Sequence, residues 1–168
     1  MPTAPRPRPP DVTTPTLDSR QRALDLAYRY LNQRDRTVAE MRRFLEGKRV
    51  DPGTIDEAVA ELGEQGYLED ARYARQFAED RRTLDHWGAE RIERKLRSAG
   101  IAPELVESAL ATQDASTELE AAVVVLGRRF PTPPADDRER NRALGMLVRK
   151  GYDLELAHDA IRAYARAE

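Results

Sequence analysis

The chain has no cysteine at all. Disulfides, thiolate metal sites, thiol nucleophiles and thiol redox chemistry are therefore excluded. Histidine is nearly as scarce: His86 and His158 stand far apart, with no cysteine or matched histidine near either, which argues against a bound metal. No apolar run approaches the roughly 20 residues of a membrane helix. Arg6 and Arg8 near the amino end have no apolar stretch behind them. A cytoplasmic protein with no membrane contact is the expectation. No glycine-rich phosphate loop precedes a helix, and the paired carboxylates Glu69 and Asp70, or Asp136 and Asp137, read as helix-start charges rather than an acid and base pair. The formal charge of −2 opposes whole-surface attraction for nucleic acid, although a local basic face could still supply one. The chain is expected to be no enzyme and to need no cofactor.

What is present is an internal register of 51 residues. Met41, Leu45, Val50, Pro52, Ile55, Ala58 and Val59 reappear as Ile92, Leu96, Ile101, Pro103, Val106, Ala109 and Leu110, then as Ala143, Leu147, Tyr152, Leu154, Ala157, Ala160 and Ile161. Fixed-period similarity marks stacked units that share burial with their neighbours and offer an extended surface to a large partner. Helical spacing fills each unit. Ala23, Leu26, Ala27, Tyr30 and Leu31 recur at three and four, Thr37 and Glu40 have capping-box spacing, and Asp51 before Pro52 starts a further helix. Gly47 and Gly100 are placed to close second helices. No strand signal survives, because Val123 to Val125 sit inside a helical pattern.

The expected fold is all-α, three tandem three-helix repeats in an elongated, curved array. Residues 1–18, with six prolines, read as a disordered tail; repeats follow at 19–65, 66–113 and 114–168. Pro131, Pro133 and Pro134 make the third repeat the least regular, with a longer loop.

Charge divides by helix. The second helices, residues 37–49, 88–97 and 138–150, carry +2, +2 and +4, whereas the third helices, 54–65, 102–114 and 153–168, carry −4, −3 and −2. Repeats stacked in one orientation would gather these into two stripes.

Gly66-Tyr67-Leu68-Glu69-Asp70-Ala71-Arg72-Tyr73-Ala74 resembles the signature run of the RecX regulatory proteins, and Gly88, Arg91, Ile92, Leu96, Gly100 and Ile101 continue the likeness. Ala23 to Leu31 and Arg34 to Leu45 are similar to that family's first repeat, and Lys150, Gly151 and Tyr152 to the turn of its third. Glu69, the proline insertion and the proline-rich front end depart from it. The resemblance implies a partner, the RecA nucleoprotein filament, and inhibition of its ATPase and strand exchange, within DNA recombination, repair and the SOS response. It also fits a monomer with at most weak contact to single- or double-stranded DNA.

Arg43, Arg91, Arg94, Lys95, Arg97, Arg142 and Arg149 are the candidate filament-binding residues. Tyr67, Asp70, Tyr73, Trp87, Gly88, Leu96 and Gly100 are the candidate structural anchors of the repeats. The rival reading is a tandem helix-turn-helix protein binding DNA directly, which the acidic third helices oppose, since reading helices usually meet phosphate.

Overall fold

The computed structural model describes residues 17–167. The expected tail lies outside the described residues except for Leu17 and Asp18, which already belong to the first helix. Among the described residues there are nine helices and no strand: α1 (Leu17–Leu31), α2 (Val38–Gly47), α3 (Pro52–Glu64), α4 (Asp70–Thr83), α5 (Ala89–Ser98), α6 (Pro103–Leu110), α7 (Ala115–Arg129), α8 (Asp137–Lys150) and α9 (Leu154–Arg166). They form three helical triplets. Among the described residues, the first triplet through Leu68 is one compact unit, and the second and third together form another.

The starts of the helices follow from local chemistry. At α2, Thr37 accepts from the Glu40 amide at 3.1 Å while Glu40 accepts from the Thr37 amide at 3.0 Å, a complete capping box. Asp51 and Asp153 cap α3 and α9 through the amides of Thr54 and Leu156 at 2.9 Å each. These caps obey the 51-residue register: Asp51, Ala102 and Asp153 all occupy the residue before a third helix. Left-handed backbone obeys it too. Arg49 (φ 59°), Gly100 (φ 82°) and Gly151 (φ 99°) turn the chain out of the three second helices. In the first repeat Gly47 ends α2 as its position suggests, and the residue in the left-handed region two positions later is an arginine.

Burial repeats with the same spacing. Leu45, Leu96 and Leu147 are fully buried, as are Ala58, Ala109 and Ala160. Burying a leucine contributes about 1.5–3 kcal/mol, and the alanines let the helices approach closely. Each triplet encloses its own apolar cluster: Met41, Leu45, Ile55 and Leu62 in the first; Ile92, Leu96 and Val106 in the second; Leu126, Leu147 and Tyr152 in the third. Leu68, assigned by sequence to the second repeat, is buried in the first cluster.

The register fails at the first helices. Ala23 and Ala27 match the buried Ala74 and Ala78, but the third step lands on Val125 and on Arg129, which is exposed. Residues 130–136 join α7 to α8, a longer connection than 32–37 or 84–88, as the prolines there suggest. Tyr164 of α9 reaches it, donating to the Phe130 carbonyl at 2.6 Å.

Candidate functional site

The second and third triplets are joined by backbone rather than by a shared apolar core. Gly88, the residue before α5, has an ordinary φ of −77° and no side chain to cap its helix. The third repeat supplies what is missing. The Gly88 amide donates to the Lys150 carbonyl at 2.9 Å, the Ala89 amide to the Glu118 carboxylate at 2.7 Å, and the Glu90 amide to the Gly151 carbonyl at 3.0 Å. Three amides at the start of α5 are thus satisfied from α7 and the α8–α9 turn, where the carboxylate also suits the helix dipole. The approach is so close that a Cβ on Gly88 would lie 2.4 Å from backbone atoms of Gly151 and Tyr152.

Side chains reinforce the joint. Tyr152 donates to the His86 carbonyl at 2.9 Å and Lys150 Nζ to the Asp85 carbonyl at 2.8 Å. Burial first, and the Glu118 carboxylate second, push the Tyr152 hydroxyl up to about 12. His86 holds a left-handed backbone (φ 52°), and its Nε2 meets an Arg128 guanidinium nitrogen at 2.5 Å. Burial, then the positive charges of Arg128 and Lys150, keep this imidazole below its usual range.

The expected filament-binding residues fall into distinct settings. Arg91 is committed to the joint: its guanidinium lies 3.9 Å from the Trp87 ring centroid and donates to the Arg149 carbonyl at 3.4 Å. Arg97 is ion-paired with Glu93 at 2.8 Å on its own helix. Arg94 is exposed on the opposite side of α5 from the buried Ile92 and Leu96, Lys95 is exposed on the flank of that face, and no ion pair holds either among the described residues. Arg43, on α2 of the first unit, is exposed and donates to the Ala39 carbonyl at 3.4 Å. Arg142 and Arg149 line one cleft on α8. Arg43 thus lies in the first unit and the other six in the second.

Of the anchors, Leu96 is fully buried, Gly100 has positive φ, and Asp70 is the first residue of α4. Trp87 is partly buried with its ring edge-on to Phe77, and Tyr73 stacks on Phe77 at 6.1 Å. Tyr67 is 54% exposed and lies edge-on to Tyr28 of the first unit. Glu118, His86, Arg128 and Lys150 were not singled out by sequence as parts of this joint. Their partners lie 29 to 66 residues away in the chain, so no local spacing marks them.

Comparison with known proteins matches the three triplets in order. Family models described as the first, second and third three-helix domains of RecX match residues 23–62, 70–110 and 116–161. A "Regulatory protein RecX" of Trichlorobacter lovleyi is 37% identical over 134 residues, covering 77% of this chain and 87% of that one. A protein of the same name from Deinococcus radiodurans is 33% identical over 161 residues, covering 96% and 76%. The crystal structure of RecX from Lactobacillus salivarius superposes with a TM-score of 0.78 at 21% identity, over 89% of this chain and 98% of that one, which speaks to the fold. With its three matched domains and these relatives, the chain belongs to the RecX family of regulatory proteins.

Proposed function

We propose that this protein restrains the RecA recombinase by binding its nucleoprotein filament in the cytoplasm, lowering ATP hydrolysis and strand exchange and so modulating recombination and DNA repair. Its part is that of a ligand, without catalysis of its own. One observation supports the reading above the others: α5 presents Arg94 and Lys95 to solvent on a helix anchored by the fully buried Ile92 and Leu96. Cations held on a rigid helix are suited to steering and registering a charged partner. The acidic third helices of the first two repeats weigh against the rival, direct reading of duplex DNA. In α3, Asp56, Glu57 and Glu64 are exposed, and in α6 Glu104 and Glu107 are exposed, so either helix would meet phosphate with like charge.

The test is reversal of charge at Arg94→Glu and Lys95→Glu, followed by titration of the variant into RecA hydrolysing ATP on single-stranded DNA. Arg91 is left in place because its replacement would disturb the packing on Trp87. Helical content should be unchanged and inhibition weakened. Undiminished inhibition by the double variant refutes the role given to this face; no inhibition by the unaltered protein at saturating dose refutes the function.

A further inference from the structure

One helix in each unit carries a charged pair, and the two pairs have the same spacing and opposite sign. On α8, Arg142 and Arg149 stand seven residues apart, which puts them on one side of the helix and about 10 Å from each other along its axis. Gly145 and Met146 lie between them on that side, and all four residues line a cleft of about 730 Å³ beside the end of α7. Arg129 and Arg138 extend its basic lining, and no carboxylate lines it. A Cβ on Gly145 would come within 3.1 Å of the Arg149 guanidinium, so the missing side chain keeps the helix surface open. The acids at the start of α8 are engaged elsewhere, Asp136 as the helix cap and Asp137 with Arg140. Among the described residues no ion pair holds any of the four arginines of the cleft.

On α3, Glu57 and Glu64 are likewise seven residues apart, with Ala60 and Glu61 between them. Glu57, Ala60 and Glu64 are exposed. Glu61 is taken by Arg20 of α1 at 2.5 Å and Asp56 by Arg42 at 2.6 Å, whereas no ion pair holds Glu57 or Glu64 among the described residues. Arg20 is held charged by Glu61 first, with Glu57 and Glu64 adding to the effect, so one cation answers three carboxylates and the face stays negative.

The two patterns are complementary. Positions i, i+3, i+4 and i+7 form one face of a helix, and each face here has a charge at both ends and a small residue between. Laying one helix on the other sets both carboxylates against both guanidinium groups whichever way the helices run. Ala60 and Gly145 leave room at the crossing, and the match is contained in a single sequence. A polyanion has no use for the α3 face, which would repel it. We infer that α3 of one molecule packs into the α8 cleft of a second, so that the chain associates head to tail with copies of itself. One pair of helices covers less than the roughly 1,200 Å² of a stable complex, so the association is weak and sensitive to salt. It does not rest on the recombinase reading.

Sedimentation velocity of the full chain tests this. In low salt the average mass should rise between about 10 and about 200 μM, and it should fall back in about 0.5 M salt. Glu57→Arg with Glu64→Arg should abolish the rise, as should Arg142→Glu with Arg149→Glu, each variant keeping its circular dichroism. All four changes in one chain exchange the signs of the two faces at constant net charge, so the rise should return. Glu107→Arg with Glu120→Arg, exposed acids of α6 and α7, should leave it unchanged. Glutamine at either pair stands in for a reversal that fails to fold, and should move the rise to about tenfold higher concentration, as loss of two exposed ion pairs does. The inference is overturned by a monomer throughout this range, by a rise that survives both reversals, by failure of the fourfold variant to associate, or by equal loss in the α6 and α7 variant. Loss confined to the arginine pair also overturns it, since the cleft would then hold some other anion.

Discussion

Replacing Gly88 by alanine tests the backbone joint directly. Its φ of −77° and ψ of 166° suit alanine as well as glycine, so any penalty comes from space alone. The new Cβ would sit 2.4 Å from the Gly151 carbonyl and the Tyr152 amide, whereas ordinary contact begins near 3.4 Å. The two backbones must part by about 1 Å, because backbone cannot swing aside as a flexible side chain does. The Gly88 and Glu90 amide bonds, at 2.9 and 3.0 Å, would then exceed bonding distance. Each is worth about 1 kcal/mol net, more where the donor stays buried. Together with the usual overpacking range of about 1–3 kcal/mol, the loss should be about 3–5 kcal/mol. Trp87, the chain's one tryptophan, adjoins the joint, so its fluorescence during urea unfolding reads the second unit. With a slope of about 1.5 kcal/mol/M, the midpoint should fall by roughly 2–3.3 M. Gly66 is the contrasting case, with φ of 78° and nothing within 4 Å of a Cβ. There alanine should cost about 1–2 kcal/mol through backbone conformation, and asparagine less. A Gly88→Ala protein within about 0.5 kcal/mol of the original, the spread of ordinary surface changes, would refute the steric reasoning.

Glu118→Ala should destabilise the second unit by about 1–2 kcal/mol, as loss of a helix cap does, although residue 118 lies outside the helix it caps. An unchanged urea midpoint would contradict this. Leu96→Ala should cost about 2–5 kcal/mol by the same Trp87 signal, since Leu96 is fully buried in the second cluster; a smaller loss would mean that the cluster closes over the gap. His86 predicts a pH effect. Its folded imidazole lies below the ordinary value of 6.5, so just below that pH the unfolded chain binds the extra proton more readily. Its contribution is complete above about 6.5 and is lost progressively as pH falls toward the folded value. His86→Asn keeps a residue tolerant of the left-handed region, and should flatten the stability difference between pH 7 and pH 5.5 relative to the original protein. Parallel pH curves would show that His86 contributes nothing.

The second and third helices of every repeat were legible in the sequence because their cores are local. Leu45, Leu96 and Leu147 keep both their spacing and their burial, and Thr37 with Glu40 declares a helix start within four residues. The first helix of the third repeat was less legible, since Val125 keeps the burial of Ala74 but the counterpart of Ala78 is the exposed Arg129, with Ala122 and Leu126 completing the buried face instead. The charge pattern holds in α5, α8, α3 and α6 but not in α2 or α9, whose observed bounds enclose two acids and two bases each, and it was not legible by side chain. Arg91, Arg94 and Lys95 look alike in sequence, yet only Arg91 is drawn onto Trp87, and that depends on the third repeat lying beside it. Arg129 and Arg138 were passed over because they lie in different helices, and only the fold carries both to the cleft shared with Arg142 and Arg149.

The two main-chain bonds of the seam, Gly88 to Lys150 and Glu90 to Gly151, do not depend on which rotamers their neighbours adopt. The exposed cations of α5 and the arginine groove of α8 are therefore held at a constant separation, like the jaws of a locked caliper. Surface residues on either jaw can be exchanged freely without changing the gauge. A partner that engages both must match that span, and adaptation to a partner of different pitch would have to begin at Gly88 or Gly151.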